Sequence, residues 1–423
     1  MSKNIVQYKR ISDFGESIMR LFKKPRNRSK DADEFHKYQK IKKLFGSKAL
    51  PVIIGASAVF VICLFGLIPG FTFGTLFKID VVLSVGLVTI ITWVVTFVEK
   101  LISRRIEEKL KLNGNYKENI DRYSKEKVFT VDGKKYPIVE ICPKIDRIKV
   151  NISEKSNYNL DPIIVHYMSE LMDAHKTSRF KNKPTYRLDN YEYDGSFLEA
   201  NISLTDQYKT LLTNRVMDFE LHDHITVREV FEPGPRLNSF ENSKLCNGFG
   251  VNFIVKTTDG YYSLVKKTDK NPTNKFKYSH FSSTLNTHFN DADNDYVGRL
   301  RQLSYNALIT NFNYQKGYKN KDIYKDVLED DITYIGLFRN LIEGGKPELC
   351  YVLQLHLTRD ELVEQFEKAS EETKKDRGVD RIATFKADEY EILENDRVKF
   401  KGVVGEATVP LVGMYMLEKI KQI

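Results

Sequence analysis

Cysteine is scarce and scattered in this chain. Cys63, Cys142, Cys246 and Cys350 form no C-x-x-C pair, which excludes a disulfide framework and suits a reducing cytosol. There is no Walker loop, no G-x-S-x-G elbow and no protein-kinase pattern, so those nucleotide and acyl-transfer chemistries are excluded. No glutamate occurs between Asn242 and Leu328. A basic excess is missing from most of the chain as well. Residues 1–48 hold fourteen Lys/Arg against five Asp/Glu, which is the whole net charge of +9, so residues 49–423 balance to zero. A general nucleic-acid surface is therefore excluded, and neither DNA nor RNA is expected as a partner. No internal repeat and no low-complexity tract is evident.

What is present first is apolar length. From Ala49 to Phe77 there is no charged residue, and a second run follows from Val81 to Val98. At about 1.5 Å per residue, Leu50–Ile68 covers about 28 Å, close to a hydrocarbon core of about 30 Å. The break Pro69-Gly70-Phe71-Thr72-Phe73-Gly74 is turn chemistry. A transmembrane hairpin is expected, with spans at about 50–68 and 79–98 inside segment 49–98. Basic flanks on both sides place both termini in the cytoplasm, next to a lipid bilayer. Gly66, Gly70 and Gly74, spaced by four, permit close helix packing, although the turn accounts for the last two. Neither apolar run, Ala49–Phe77 or Val81–Val98, holds an Asp, Glu, Lys, Arg or His, so membrane damage would need several copies brought together by ligand.

The rest divides into a basic segment 1–48, a charged helical connector 99–127, a soluble subdomain 128–240 and a domain 241–423. Asp132-Gly133 between Val128–Val131 and Tyr136–Ile141 predicts a hairpin. A helix is expected at Pro162–Ala174. Thr257-Thr258-Asp259-Gly260 between Val251–Lys256 and Tyr261–Lys267 predicts a second hairpin. Asp295–Phe312 has helical spacing. Ile332–Phe338 and Leu349–Leu357 predict strands around a Glu343-Gly344-Gly345-Lys346-Pro347 turn. Thr358 is a plausible N-cap for a helix over Asp360–Ala369. Val398–Thr408 is strand-like and Leu411–Lys421 helical. Strands and helices mix without strict alternation, which predicts an α+β class.

From Ser243 onward the order of elements resembles the Nudix fold. The matching pieces are Asn247–Tyr262, the helix at Asp295–Phe312 and Tyr334–Leu349. With the hairpin in front, the chain resembles the two-transmembrane Nudix effectors of bacterial CBASS anti-phage defence. The implied fold is two transmembrane α-helices plus a cytosolic α+β Nudix-like domain, a mixed sheet flanked by helices. The implied role is a multi-pass inner-membrane effector. It binds a cyclic di- or oligonucleotide messenger, forms a homo-oligomer and disrupts the membrane. Alternatives are a membrane-anchored Nudix hydrolase acting on a nucleoside diphosphate derivative, and a membrane scaffold.

The Nudix box, G-x5-E-x7-R-E-U-x-E-E-x-G-U, holds divalent cations on its glutamates. In the best register Asp293 takes the first glutamate's place, and Gln302, Tyr305 and Asn306 take the later ones. Arg301 and Leu303 survive. No catalytic residue, no metal and no cofactor is therefore expected. The neutral replacements suit holding a phosphodiester, with Arg301 on phosphate. By position in the Nudix-like elements, the candidate ligand-binding residues are Tyr262, Lys266, His280, Ser282, Ser283, Arg301, Tyr305, Asn306, Arg339 and Asn340. Each has a plain structural alternative: Tyr262 and Tyr305 as core aromatics, His280 as a structural histidine, Arg339 as the partner of Glu343. Glu220-Leu221-His222-Asp223-His224 would set His222 and His224 on one face of a strand, without an evident third ligand.

Overall fold

The computed structural model describes residues 112, 116–131, 133–153, 155, 158–175, 182–222, 224–268, 277–284, 308, 329–368, 379–392, 397–400 and 403–406. The chain divides into two compact units: 1–111 with Glu220–His224, and Leu112–Phe219 with Ile225–Ile423. Of the first unit, only Glu220–His222 and His224 are described. His224 has φ of 65°, and its amide donates to Glu220 Oε1 at 3.0 Å. The left-handed residue breaks the strand's alternation, so His222 and His224 are not two positions on one strand face. Everything below concerns the second unit.

Its strands are β1 (Val128–Val131), β2 (Lys134–Cys142), β3 (Arg147–Ser153), β4 (Pro184–Tyr193) and β5 (Phe197–Asp206). Numbering passes through the short β6 (Glu220–His222) and β7 (Ile225–Thr226) to β8 (Gly248–Lys256), β9 (Tyr262–Lys267), β10 (Tyr278–Ser279) and β11 (Phe281–Thr284). The last are β12 (Ile332–Asn340), β13 (Lys346–Gln354), β14 (Val379–Phe385), β15 (Tyr390–Ile392), β16 (Arg397–Phe400) and β17 (Val403–Glu406). The helices are α1 (Tyr116–Arg122), α2 (Pro162–His166), α3 (Met168–Ala174), α4 (Gln207–Leu212), α5 (Val227–Phe231) and α6 (Arg359–Glu367).

One curled, mixed twelve-stranded sheet dominates, with the order β1-β2-β12-β13-β8-β4-β5-β3. It takes strands from both 128–240 and 241–423. The parallel joins are β13 with β8 and β3 with β5. The other edge of β8 is shared along its length: β4 pairs at Gly248–Phe249, β11 at Gly250–Phe253 and β9 at Val255–Lys256. β8 lies in the interior of the sheet and is largely buried on both faces. Phe249, Val251, Phe253 and Val255 enter one buried cluster with Leu188, Ile202, Leu337 and Leu349, while Ile254 enters a second with Phe338, Leu264 and Phe385. Local signals set the short helices. Pro162 opens α2 after Asp161, whose side chain caps Ile163 N. Thr358 and Glu361 form a capping box on α6.

The β12–β13 turn, Leu341–Gly345, is buried rather than exposed. Gly344 and Gly345 take φ of 65° and 81°, conformations that side-chain-bearing residues rarely adopt. A Cβ on Gly345 would also lie 2.7 Å from Arg339 Nη2. Buried carbonyls need donors, and side chains supply them, those of Arg228 and Asn214 from far along the chain. Arg228 donates to Leu341 O and Ile342 O, both at 2.7 Å. Asn214 Nδ2 donates to Glu343 O at 2.9 Å, and Arg339 Nε to Gly345 O at 3.1 Å. The remaining Arg228 donors reach Asp218 Oδ1 and Oδ2, both at 2.8 Å, and Tyr123 Oη at 3.2 Å. All five donors of this fully buried guanidinium are used.

Two expectations are corrected. Among the described residues no helix is long and apolar enough to cross a membrane. The longest, α6, has nine residues and reaches about 14 Å, against about 30 Å of hydrocarbon. The two transmembrane helices, and the multi-pass inner-membrane location they implied, have no counterpart among the described residues. The runs at 50–68 and 79–98 lie outside the described residues. The expected sheet flanked by helices is instead a curled sheet with few, short helices. The expected helices over Asp295–Phe312 and Leu411–Lys421 lie outside the described residues, save Leu308, which is helical and buried.

Replacing Arg228 by Met removes two charge-assisted hydrogen bonds from Asp218 and the donors of two buried carbonyls. Urea unfolding is expected to show a loss of about 3–5 kcal/mol, as for breaking a buried ion pair. An unchanged midpoint would contradict the role given to this clamp.

Candidate functional site

Strands β8 and β13 run parallel, with Asn252 beside Cys350 and Gly250 beside Glu348. That register brings polar side chains together inside the sheet. Lys346 Nζ donates to Glu348 Oε1 at 2.8 Å, and Asn252 Nδ2 to Glu348 Oε2 at 2.8 Å. His280 Nε2 lies 2.7 Å from Asn252 Oδ1. That amide oxygen only accepts, so Nε2 carries the proton. Glu343, in the buried turn, accepts from Arg215 Nη1, and its Oε2 has no hydrogen-bond partner. Lys267 completes the group electrostatically.

Three cations thus face two carboxylates, and the crowding shifts their protonation equilibria. Burial, then Lys267, Lys346 and Arg215, push the His280 imidazole down to about 3. Burial, then Arg215, lower the Lys267 ammonium to about 8. Burial raises Glu343 to about 7, against the pull of Arg215 and Lys346. Glu348 and Lys346 are nearly fully buried, whereas Arg215 and Lys267 keep accessible surface. An anion approaching from outside therefore meets Arg215 and Lys267 first.

Of the ten candidate residues, the structure brings His280 to this centre. Ser282 and Ser283 belong to β11, in register with Asn252 and Val251. Tyr262 is buried among apolar side chains and stacks on Phe385 at 6.3 Å between ring centroids. Lys266 lies over the Tyr278 ring at 5.6 Å. Arg339 covers the Phe240 ring at 4.4 Å and holds Gly345 O. Its expected alternative partner, Glu343, is taken by Arg215 instead. Asn340 is fully buried and accepts from Ile342 N at 3.1 Å. Arg301, Tyr305 and Asn306 lie outside the described residues.

Sequence reasoning missed Asn252, Arg215, Lys267, Glu343, Lys346 and Glu348. Two signals were legible. Asn252 interrupts an otherwise apolar strand, and Lys346 and Glu348 stand two apart, on one strand face. The partnership of Arg215 with Glu343, 128 positions apart, left no local trace. Among the described residues, no three His, Cys, Asp or Glu side chains group as metal ligands. Cys142, Cys246 and Cys350 are buried and unpaired. Burial pushes all three thiols up, Cys142 to about 12, away from nucleophilic use.

In the unfolded chain His280 titrates near 6.5 and in the fold near 3. Between those values the unfolded chain binds the extra proton, so stability falls as pH falls through that window. Glu343 acts oppositely: the fold prefers its neutral form, so stability is regained as pH falls from about 7. His280→Gln is expected to remove the histidine part. Between neutral pH and about pH 4.5 it should lose on the order of 2–3 kcal/mol less than the parent chain in urea titrations. Parallel losses would show that His280 is already charged in the fold. In comparisons with known proteins, no family model matches the chain, and no curated protein matches it.

Proposed function

We propose that this unit is a non-hydrolytic receptor for an anionic nucleotide messenger, of the cyclic di- or oligonucleotide class, and relays its arrival by self-association. The observation that carries the reading is the charge arrangement inside the sheet. Both carboxylates, Glu343 and Glu348, are already engaged by cations, Arg215 and Lys346. The surplus positive charge falls on groups with accessible surface, Arg215 and Lys267. Such a centre attracts a phosphodiester. It also offers no uncommitted pair of carboxylates, which metal-assisted attack on a diphosphate would use.

The test pairs binding with turnover. The purified full chain is screened by thermal shift against cyclic di- and trinucleotides, and each mixture is analysed for products in the presence of Mg²⁺. A raised melting temperature with one messenger and intact nucleotide is expected. Lys267→Gln should weaken the effect by about tenfold, the scale of one charge-assisted hydrogen bond. Mg²⁺-dependent breakdown, or no shift with any messenger, would overturn the proposal.

A further inference from the structure

A second site lies at the other end of the sheet, on the face of β3, β5 and β4 turned away from the apolar core. Alternate residues of β5, Leu198, Ala200 and Ile202, enter that core. Glu199, Asn201 and Ser203 therefore point the other way. The tripeptide Asn-Ile-Ser occurs at 151–153 and again at 201–203. Because β3 and β5 are parallel and in register, the copies lie side by side: Asn151 with Asn201, Ser153 with Ser203. β4 extends both rows, with Asn190 opposite Asn201 and Arg187 opposite Ser203.

The amide row is a directed chain. Asn151 Nδ2 donates to Asn201 Oδ1 at 2.8 Å, and Asn201 Nδ2 to Asn190 Oδ1 at 2.5 Å. Asn151 Nδ2 also lies 2.7 Å from Glu199 Oε1. One end is left with the Asn151 carbonyl oxygen and the other with the Asn190 amide nitrogen, an acceptor and a donor. In the next row Arg187 Nε and Ser203 Oγ are buried and have no hydrogen-bond partner. The Arg187 side chain is 9% exposed. Its guanidinium is fixed over the Tyr158 ring at 4.8 Å. Buried donors without partners are uncommon and call for a missing acceptor. Arg187 and the three asparagines line an open cleft of about 540 Å³, within the usual range of about 300–1,000 Å³ for small-ligand sites. Asp189 and Glu241 line it too; Arg187 Nη1 lies 3.4 Å from Asp189 Oδ1 and Nη2 donates to Phe240 O at 3.4 Å, so Nε is the donor left over, and a multiply charged anion is disfavoured.

We propose that this cleft binds a singly charged carboxylate lying next to a peptide-type amide. The carboxylate would accept from Arg187 Nε, and the neighbouring amide would lie against the asparagine row. The occupant is either a free N-acylated amino acid or the C-terminal residue of a peptide. This site is separate from the charged centre and stands whether or not that centre binds a nucleotide.

The full chain is titrated calorimetrically with N-acetylated amino acids, with short peptides ending in a free carboxylate, with the same peptides amidated, and with a nucleoside monophosphate. Saturable binding to a free-carboxylate arm, abolished by amidation, is expected. Which arm binds distinguishes the two sources. Asn151→Ala and Asn201→Ala should each weaken binding by about tenfold, the effect of losing one well-made hydrogen bond in a desolvated site. Arg187→Lys, which keeps the charge and loses the guanidinium Nε, should remove it. Circular dichroism of each variant checks that it is folded. Equal binding of the amidated peptides, preference for the nucleotide, no saturable binding in any arm, or unchanged affinity in the folded asparagine variants would overturn the proposal.

Discussion

Arg228 has no contact with solvent, yet it makes five hydrogen bonds, and the centre of the unit is organised around them. Its fork takes both oxygens of Asp218 on one side and the carbonyls of Leu341 and Ile342 on the other. A hairpin turn normally runs at the surface because water satisfies its backbone. Here the turn is carried inside, and a guanidinium and two amide or guanidinium neighbours, Asn214 and Arg339, stand in for water. Burying such a cation is costly unless every donor finds a partner. That all-or-nothing condition ties Asp218, Tyr123 and the turn into one arrangement.

The charged centre follows from that placement. Glu343 is in the clamped turn, so fixing the turn delivers its carboxylate to Arg215. Lys346 and Glu348 follow directly along β13, and the parallel register with β8 delivers Asn252 and then His280. The neutrality of His280 is a consequence of the same geometry: burial and three nearby cations disfavour its charged form. The asparagine-lined cleft arises differently. There the sheet's alternation places a repeated tripeptide in register across two parallel strands, with the Arg187–Asp189 pair of β4 beside it.

The parts of the fold legible in the sequence are the local ones. Asp132-Gly133 and Thr257–Gly260 sit between strand runs, and the structure pairs β1 with β2 and β8 with β9 antiparallel. Thr358 announces α6 as its N-cap, and the structure adds Glu361 to complete a capping box. The parallel pairings were not legible, because nothing near β8 in sequence specifies a partner about a hundred positions on. Nor was the burial of the turn at Glu343-Gly344-Gly345, whose composition is that of a surface turn; its donors come from Asn214 and Arg228. Position in a family-like order of elements singled out His280, but the same logic selected Tyr262, Arg339 and Asn340, which packing and backbone hydrogen bonds occupy instead. The apolar runs read as membrane spans found no counterpart in any described helix.

Hydrogen–deuterium exchange of the free chain tests the clamped turn most directly. The amides of Ile342, Gly344 and Gly345 are each hydrogen-bonded and buried with the sheet. They are predicted to exchange as slowly as the central amides of β12 and β13, opening only with the whole unit. Exchange as fast as in the largely exposed Asp194–Ser196 turn would contradict the account, for it would mean that the turn opens on its own.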